Sequence, residues 1–346
     1  MTKLRMAVIG TGALGRHHAR ILSQLAGVEL VAVADANPIT VAETAERCRT
    51  RGTTEYRELL SEVDAAVVAV PTFAHRAVAG DFLAAGVDVL VEKPIAGTVA
   101  EAHELVTLAS RHEVLLSVGH VERFNPALAA ARQFLADPKY IRIERLAPFS
   151  FRSTDIGVVH DLMIHDIDLV LELVAVPVAD VQAFGVGILT GHEDCAQARL
   201  TFSNGTIADL VVNRVHPVAS RKMQVWTSDG CVQIDLAARE VICYAPSARL
   251  KFGTSPLERA REAGADVEKL KQEIFGTYIE VQKPIVAACD QLTEELLSFA
   301  ESVRTRQRPV VSGEAALEAM EVARRVLDQV AATPWNVTRA GPRLAG

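Results

Sequence analysis

Residues 6–15 read Met-Ala-Val-Ile-Gly-Thr-Gly-Ala-Leu-Gly, four apolar residues followed by glycines at 10, 12 and 15. The apolar run predicts a buried parallel strand. From residue 13 to 25 the spacing turns helical, with Leu14, Ala19, Ile21, Leu22 and Leu25 as inward positions. A glycine-rich turn between strand and helix suits a dinucleotide. Gly10 permits a tight turn, Gly12 lets backbone approach a pyrophosphate, and Gly15 lets the helix pack close to the strand, whose partner helix aims its N-terminus at negative charge. Gly10, Thr11, Gly12, Ala13, Leu14 and Gly15 are therefore candidate cofactor contacts. A second apolar strand, 28–34, ends at Asp35. An acid roughly 20 residues past the loop accepts hydrogen bonds from a ribose 2′-OH and repels a 2′-phosphate. No Arg or Lys immediately follows Asp35, so NAD is expected over NADP. The competing reading is a glycine turn followed by a surface Asp.

Working outward, apolar strands at 65–70, 87–91 and 114–118 alternate with helical segments at 38–48, 75–85 and 100–111. Strict alternation demands crossover connections, hence a parallel sheet with helices on both faces. After residue 120 the pattern changes. Helical stretches at 125–136 and 158–174 flank an extended 139–149, and strand signals follow at 178–189, 196–202, 206–215, 223–227 and 232–236. Asn204-Gly205 and Asp229-Gly230 supply the positive φ angles of tight hairpins, so these strands are antiparallel. The expected fold is α/β: an N-terminal Rossmann domain (1–120) plus a C-terminal α+β domain (121–346) with a large, mainly antiparallel open sheet. Residues 246–290 form an excursion with one helix over 256–275, and helices at 292–306 and 312–330 close the chain and can pack back on the first domain.

With 346 residues, 49% hydrophobic and 23% charged, the chain can bury two cores. A net charge of −7 with no Lys/Arg run argues against a nucleic-acid partner. No apolar run approaches the ~18 residues of a spanning helix, so no membrane is expected. No leader pattern opens the chain, and the five Cys are scattered without metal-ligand spacing. Those features predict a cytoplasmic protein with free thiols and no metal.

Residues that carry chemistry stand at strand ends and on one helix. Pro71, Thr72 and His75 follow the third strand, where strand carboxyl ends border a ligand crevice. Thr72 and His75 either reach a cofactor there or serve as a helix cap and an exposed His. Glu92-Lys93-Pro94 ends another strand, where Glu92 and Lys93 join the candidate cofactor contacts; the Lys93 charge suits a developing alkoxide, the alternative being a surface charge. The 158–174 segment carries Asp161, His165, Asp168 and Glu172 at steps of 4, 3 and 4, which put them on one face of a helix. Either this is a solvated stripe, or His165 takes a proton near neutral pH while an acid one turn away orients substrate. No Lys or Arg occurs from 153 to 198, and solvated faces usually mix signs.

Together, Gly10–Gly15 with His18, Pro71-Thr72 with His75, Glu92-Lys93-Pro94, Gly119 with Arg123-Phe124-Asn125-Pro126, and Asp161 with His165 resemble the Gfo/Idh/MocA oxidoreductases. The resemblance implies a Rossmann domain, NAD, a catalytic set of Lys93, Asp161 and His165, and a homodimer or homotetramer formed through the C-terminal sheet. Residues 119–126 and 161–168 are most similar to the family's UDP-N-acetylglucosamine 3-dehydrogenases, which implies oxidation of a nucleotide-sugar 3-hydroxyl in lipid A biosynthesis. Arg123, Asn125 and Arg152 are then substrate contacts beside Asp161 and His165, and Arg123, Arg145, Arg152, Arg221 and Lys222 can meet a diphosphate. Met163 stands where the family often has Gly, which is expected to disfavour simpler polyols. Three readings compete: dehydrogenation of an inositol or another nucleotide sugar, NAD-assisted glycoside hydrolysis, and a non-catalytic NAD sensor.

Overall fold

The structure, a computed structural model, describes residues 2–151 and 156–333. In chain order the first elements are β1 (Leu4–Ile9), α1 (Gly15–Leu22), β2 (Val28–Ala34), α2 (Pro38–Cys48), β3 (Arg51–Thr53), β4 (Ala65–Val68), α3 (Thr72–Ala84), β5 (Asp88–Glu92), α4 (Val99–Arg111) and β6 (Leu116–Gly119). Next come α5 (Pro126–Ala131), β7 (Pro138–Leu146), a π-helical turn (Val159–Met163) running into α6 (Ile164–Val174), β8 (Val178–Val186), β9 (Cys195–Phe202), β10 (Ile207–Asn213), β11 (Ser220–Thr227), β12 (Gly230–Asp235) and β13 (Glu240–Pro246). The rest are α7 (Ala248–Phe252), α8 (Pro256–Arg259), α9 (Val267–Glu273), β14 (Ile279–Gln282), α10 (Gln291–Thr305) and α11 (Gly313–Ala332). Two compact units divide them: residues 1–124 with 289–325, and 125–288 with the residues from 326.

The first unit is built on a six-stranded sheet in the order β3-β2-β1-β4-β5-β6. Every pair in it is parallel. The chain leaves β1 toward one edge and returns through β4 toward the other, so the strand order reverses beside the carboxyl ends of β1 and β4. β1, β4 and β5 are nearly wholly buried, as their unbroken apolar runs require. Met6, Val8, Val33, Val67 and Leu90 share one core with Leu296, Phe299 and Ala300 of α10. Each of the larger side chains among them contributes about 1.5–3 kcal/mol relative to exposure. The segment after α10 adds main-chain ties: Val118 N–H donates to Val311 O at 3.1 Å, and Arg306 reaches Asp88 at 2.6 Å. β3 went unanticipated because Arg51-Gly52-Thr53 is a three-residue edge strand with no apolar side chain.

The second unit carries an eight-stranded sheet, β14-β13-β12-β11-β7-β10-β9-β8. All neighbours are antiparallel except β7 and β10. Two hairpins fall at the expected dipeptides, but only their glycines, Gly205 (φ +86°) and Gly230 (φ +148°), take positive φ. The 246–290 excursion corrects the expected single helix over 256–275. Ser255 and Asp266 each cap a new helix, and Gly264 at φ +82° breaks the run between them. Its far end, β14, pairs with β13 and extends the sheet.

Candidate active site

The glycine loop leaves β1 at Gly10, whose φ is +94°. A Cβ on Gly10 would collide with the Ala69 carbonyl, and one on Gly15 with the Gly10 carbonyl. Gly12 has open space around its Cβ position. Two glycines thus let the chain close on itself, and the third leaves room where a pyrophosphate must approach. No side chain caps α1, and its N-terminal end, where the helix dipole favours an anion, opens from the loop. This loop fits NAD. Asp35 does more than end β2: its Oδ2 accepts from Thr11 N–H at 2.6 Å and Thr11 Oγ1 at 3.1 Å, and its Oδ1 from Asn37 N–H at 2.9 Å. It shapes the loop while staying partly exposed.

The turn after β5 is held by two buried histidines. His18, on α1, lies 2.7 Å from Glu92 Oε1 through Nε2. Burial pushes the Glu92 carboxyl up, but the His18 bond and the charge of Lys93 outweigh it and hold it below the usual range. His75, on α3, lies 2.8 Å from Pro94 O through Nδ1 and 2.9 Å from Val70 O through Nε2. Burial lowers the His75 pKa against the pull of those two carbonyls. Lys93 sits half-buried between these anchors. Two expectations are corrected here. Glu92 and His75 are not open cofactor contacts; a carboxylate and an imidazole this deep need partners, and the turn supplies them. Thr72 is not a cap either, since α3 is capped at Pro71 without a side-chain bond. Behind Glu92 lies Glu295 of α10, which no sequence signal singled out. It is buried, and among the described residues neither carboxylate oxygen has a hydrogen-bond partner. Burial first, then the Glu92 charge, pushes it well above the ordinary carboxylate range.

In the second unit, Asp161 lies in the π-helical turn and His165 in the first turn of α6. The step of four between them is not a plain α-helical one, because the π turn advances each residue by a smaller angle. Both are partly exposed, whereas Asp168 is buried. Asp166 is buried against Arg145, with Arg145 Nη2 2.6 Å from Asp166 Oδ1. Arg145 is therefore a structural ion-pair partner and not a free contact for a diphosphate. Asn125 is corrected likewise. Its Oδ1 accepts Ala127 N–H at 3.0 Å as the cap of α5, and its Nδ2 donates to Leu236 O at 3.0 Å. An Asn-Pro start favours that cap. Arg123 is partly exposed, and Arg152 lies outside the described residues. Met163 is fully buried, so its bulk fills the core of this unit and carries no argument about substrate size. No group of His, Cys, Asp and Glu among the described residues is arranged to hold a metal. No helix among them is long and apolar enough to cross a membrane.

A sheet that reverses beside an open glycine loop, with an acid at the end of β2, defines a dinucleotide-binding unit of the Rossmann type. Residues 4–120 match the family described as "Oxidoreductase family, NAD-binding Rossmann fold" and residues 133–233 the "GFO/IDH/MocA C-terminal domain". The UDP-N-acetylglucosamine 3-dehydrogenase of Acidithiobacillus ferrooxidans is 38% identical over 315 residues, 88% of this chain and 97% of that protein. A solved structure of UDP-N-acetylglucosamine 3-dehydrogenase GnnA from the same organism superposes with a TM-score of 0.83 at 33% identity, covering 95% of this chain and 98% of that one. An inositol 2-dehydrogenase of Paenarthrobacter aurescens is 31% identical over 226 residues, 60% of this chain and 68% of that protein. The chain belongs to the Gfo/Idh/MocA family of NAD-binding oxidoreductases.

Proposed function

We propose that this enzyme oxidises the 3-hydroxyl of UDP-N-acetylglucosamine to the 3-keto sugar with NAD. The observation that carries the substrate is the 38% identity along nearly the whole length of an enzyme named for that reaction. Bound NAD supplies the two-electron acceptor for the sugar C–H. The Gly10–Gly15 backbone receives its pyrophosphate, and the free lone pairs of Asp35 receive a ribose hydroxyl, which disfavours NADP. His165 removes the hydroxyl proton, Asp161 orients sugar and imidazole, and Lys93 stabilises the alkoxide-like oxygen. Arg123, with Arg221 and Lys222 as exposed cations on β11, serves the diphosphate.

The wider setting follows from that substrate: a cytoplasmic enzyme whose keto product feeds amination for lipid A. Assembly as a homo-oligomer through the C-terminal sheet is supported by alternate β8 residues Phe184 and Val186, 45% and 42% exposed.

The test is a turnover assay with NAD against UDP-N-acetylglucosamine, UDP-glucose, UDP-N-acetylglucosaminuronate and myo-inositol. NADH should form fastest with UDP-N-acetylglucosamine. Preference for myo-inositol would transfer the assignment to the inositol dehydrogenases, and release of free sugar without net NADH would make it a hydrolase.

A further inference from the structure

We propose that two buried ion pairs, Arg145–Asp166 and Arg214–Asp194, together with Glu193, are positioning residues that fix Asp161 and His165 from both ends of the π-helical turn. The inference rests on the role proposed for His165. All of the groups lie in the second unit.

At the leading end, the support comes from the loop between β8 and β9. Asp194 is fully buried. Its Oδ2 accepts the N–H groups of Ile188 (2.7 Å), Leu189 (2.6 Å) and Thr190 (3.0 Å). Its Oδ1 accepts Thr190 Oγ1 at 2.9 Å and Arg214 Nε at 2.8 Å. Burial alone would raise this carboxyl, yet the backbone donors and the guanidinium pull it well below the usual range. The loop and its partner Arg214 together reach the helix start three times. Arg214 Nη1 donates to Ile156 O at 2.8 Å. Val158 N–H donates to Glu193 O at 2.9 Å, and Val159 N–H to Glu193 Oε1 at 3.1 Å. Gly157 makes that approach possible, since a Cβ there would collide with the Glu193 carboxylate.

The helix has no local side-chain cap at Val158. A Ser or Asp at that position would satisfy the first N–H groups at little cost. Such a cap travels with its helix and leaves the helix free to shift over the sheet. A cap delivered from Glu193, 34 residues away, ties the helix end to the strand pair that carries it. At the trailing end, Asp166 follows His165 directly, and Arg145 of β7 grips it through Nε (3.0 Å) and Nη2 (2.6 Å). His165 thus lies between two anchors, each reaching a different strand of the sheet. Buried ion pairs contribute little net stability, because desolvation offsets most of their attraction. What they supply here is a fixed place for two side chains whose reaction tolerates little displacement. A shift of about 1 Å can cost roughly a hundredfold in rate.

The experiment uses the full chain with labelled histidine and compares Glu193→Ala, which removes the oxygen that accepts Val159 N–H, and Arg214→Lys with the wild type. The His165 ring resonances, assigned by their loss in His165→Gln, should shift or broaden in both variants, while those of His18 and His75 stay in place. Turnover should fall about 10- to 100-fold with KM and the NAD dissociation constant nearly unchanged. Unmoved His165 resonances in folded variants, or unchanged kcat beside a lowered Tm, would overturn the inference and leave a merely structural role. Glu193→Ala removes the side-chain cap and keeps both ion pairs, so it reports even if Arg214→Lys fails to fold. A wild type without dehydrogenase activity would count against the proposed function, and the resonances alone would then decide this inference.

Discussion

The two units build their functional parts from different materials. The first shapes its cofactor loop from main chain: Gly10 and Gly15 allow close approach, Gly12 leaves room, and Asp35 ties the loop to β2. In the second, Arg145 of β7 pairs with Asp166 beside His165 on α6, and Arg214 pairs with Asp194 in the loop that meets the start of that helix. A site made of backbone depends on what is absent from a few positions. A site made of paired charges depends on both partners being present. The first should fail through steric intrusion, the second through loss of a single group.

The largest expected effect separates chemistry from cofactor binding. His165→Gln or Lys93→Ala should lower turnover by roughly two or more orders of magnitude, with NAD affinity measured by calorimetry nearly intact. Full activity in either variant would remove that residue from the reaction. Next in size is the intrusion expected of the first unit. Gly15→Ala forces a Cβ against the Gly10 carbonyl and should destabilise by about 1–3 kcal/mol while weakening NAD binding in titration. Unaltered NAD affinity would break the comparison, because the loop would then tolerate a side chain.

The smallest effect is a pH dependence. Burial first, then the Glu92 charge, raises the Glu295 pKa above the ordinary 4.5. Below that pH the folded and unfolded chains both hold the proton and its stability contribution is complete. As pH rises above 4.5 the unfolded chain ionises first, so this contribution is lost on the way to the raised folded pKa. Glu295→Gln cannot titrate, and its curve of Tm against pH should be flatter over that interval. Parallel curves would mean that Glu295 is ionised in the fold.

How much was legible in the sequence follows the same division. The glycine loop, the strands β1, β2, β4 and β5, and the helix bearing His165 were readable because their signals repeat within a few residues. The pairings were not. His18 and Glu92 stand 74 residues apart, Arg145 and Asp166 21, and Arg214 and Asp194 20, so nothing in local spacing distinguishes them from solvated charges. Arg145 and Asn125 read as ligand contacts for that reason, and the structure gives both bonds within the fold: a polar side chain near a motif carries the same signal whether it meets a substrate or the fold. The broken 256–275 helix was lost because charge and helix propensity persist across Gly264, whose φ of +82° no helix accommodates.

The measurement that tests the account most directly uses UDP-N-acetylglucosamine deuterated at sugar C3. With wild-type enzyme and NAD, the account predicts that deuterium appears in the reduced nicotinamide in proportion to keto sugar formed, and that His165→Gln suppresses both. Reduced cofactor without deuterium, or labelled sugar recovered unchanged while NAD remains oxidised, would contradict it.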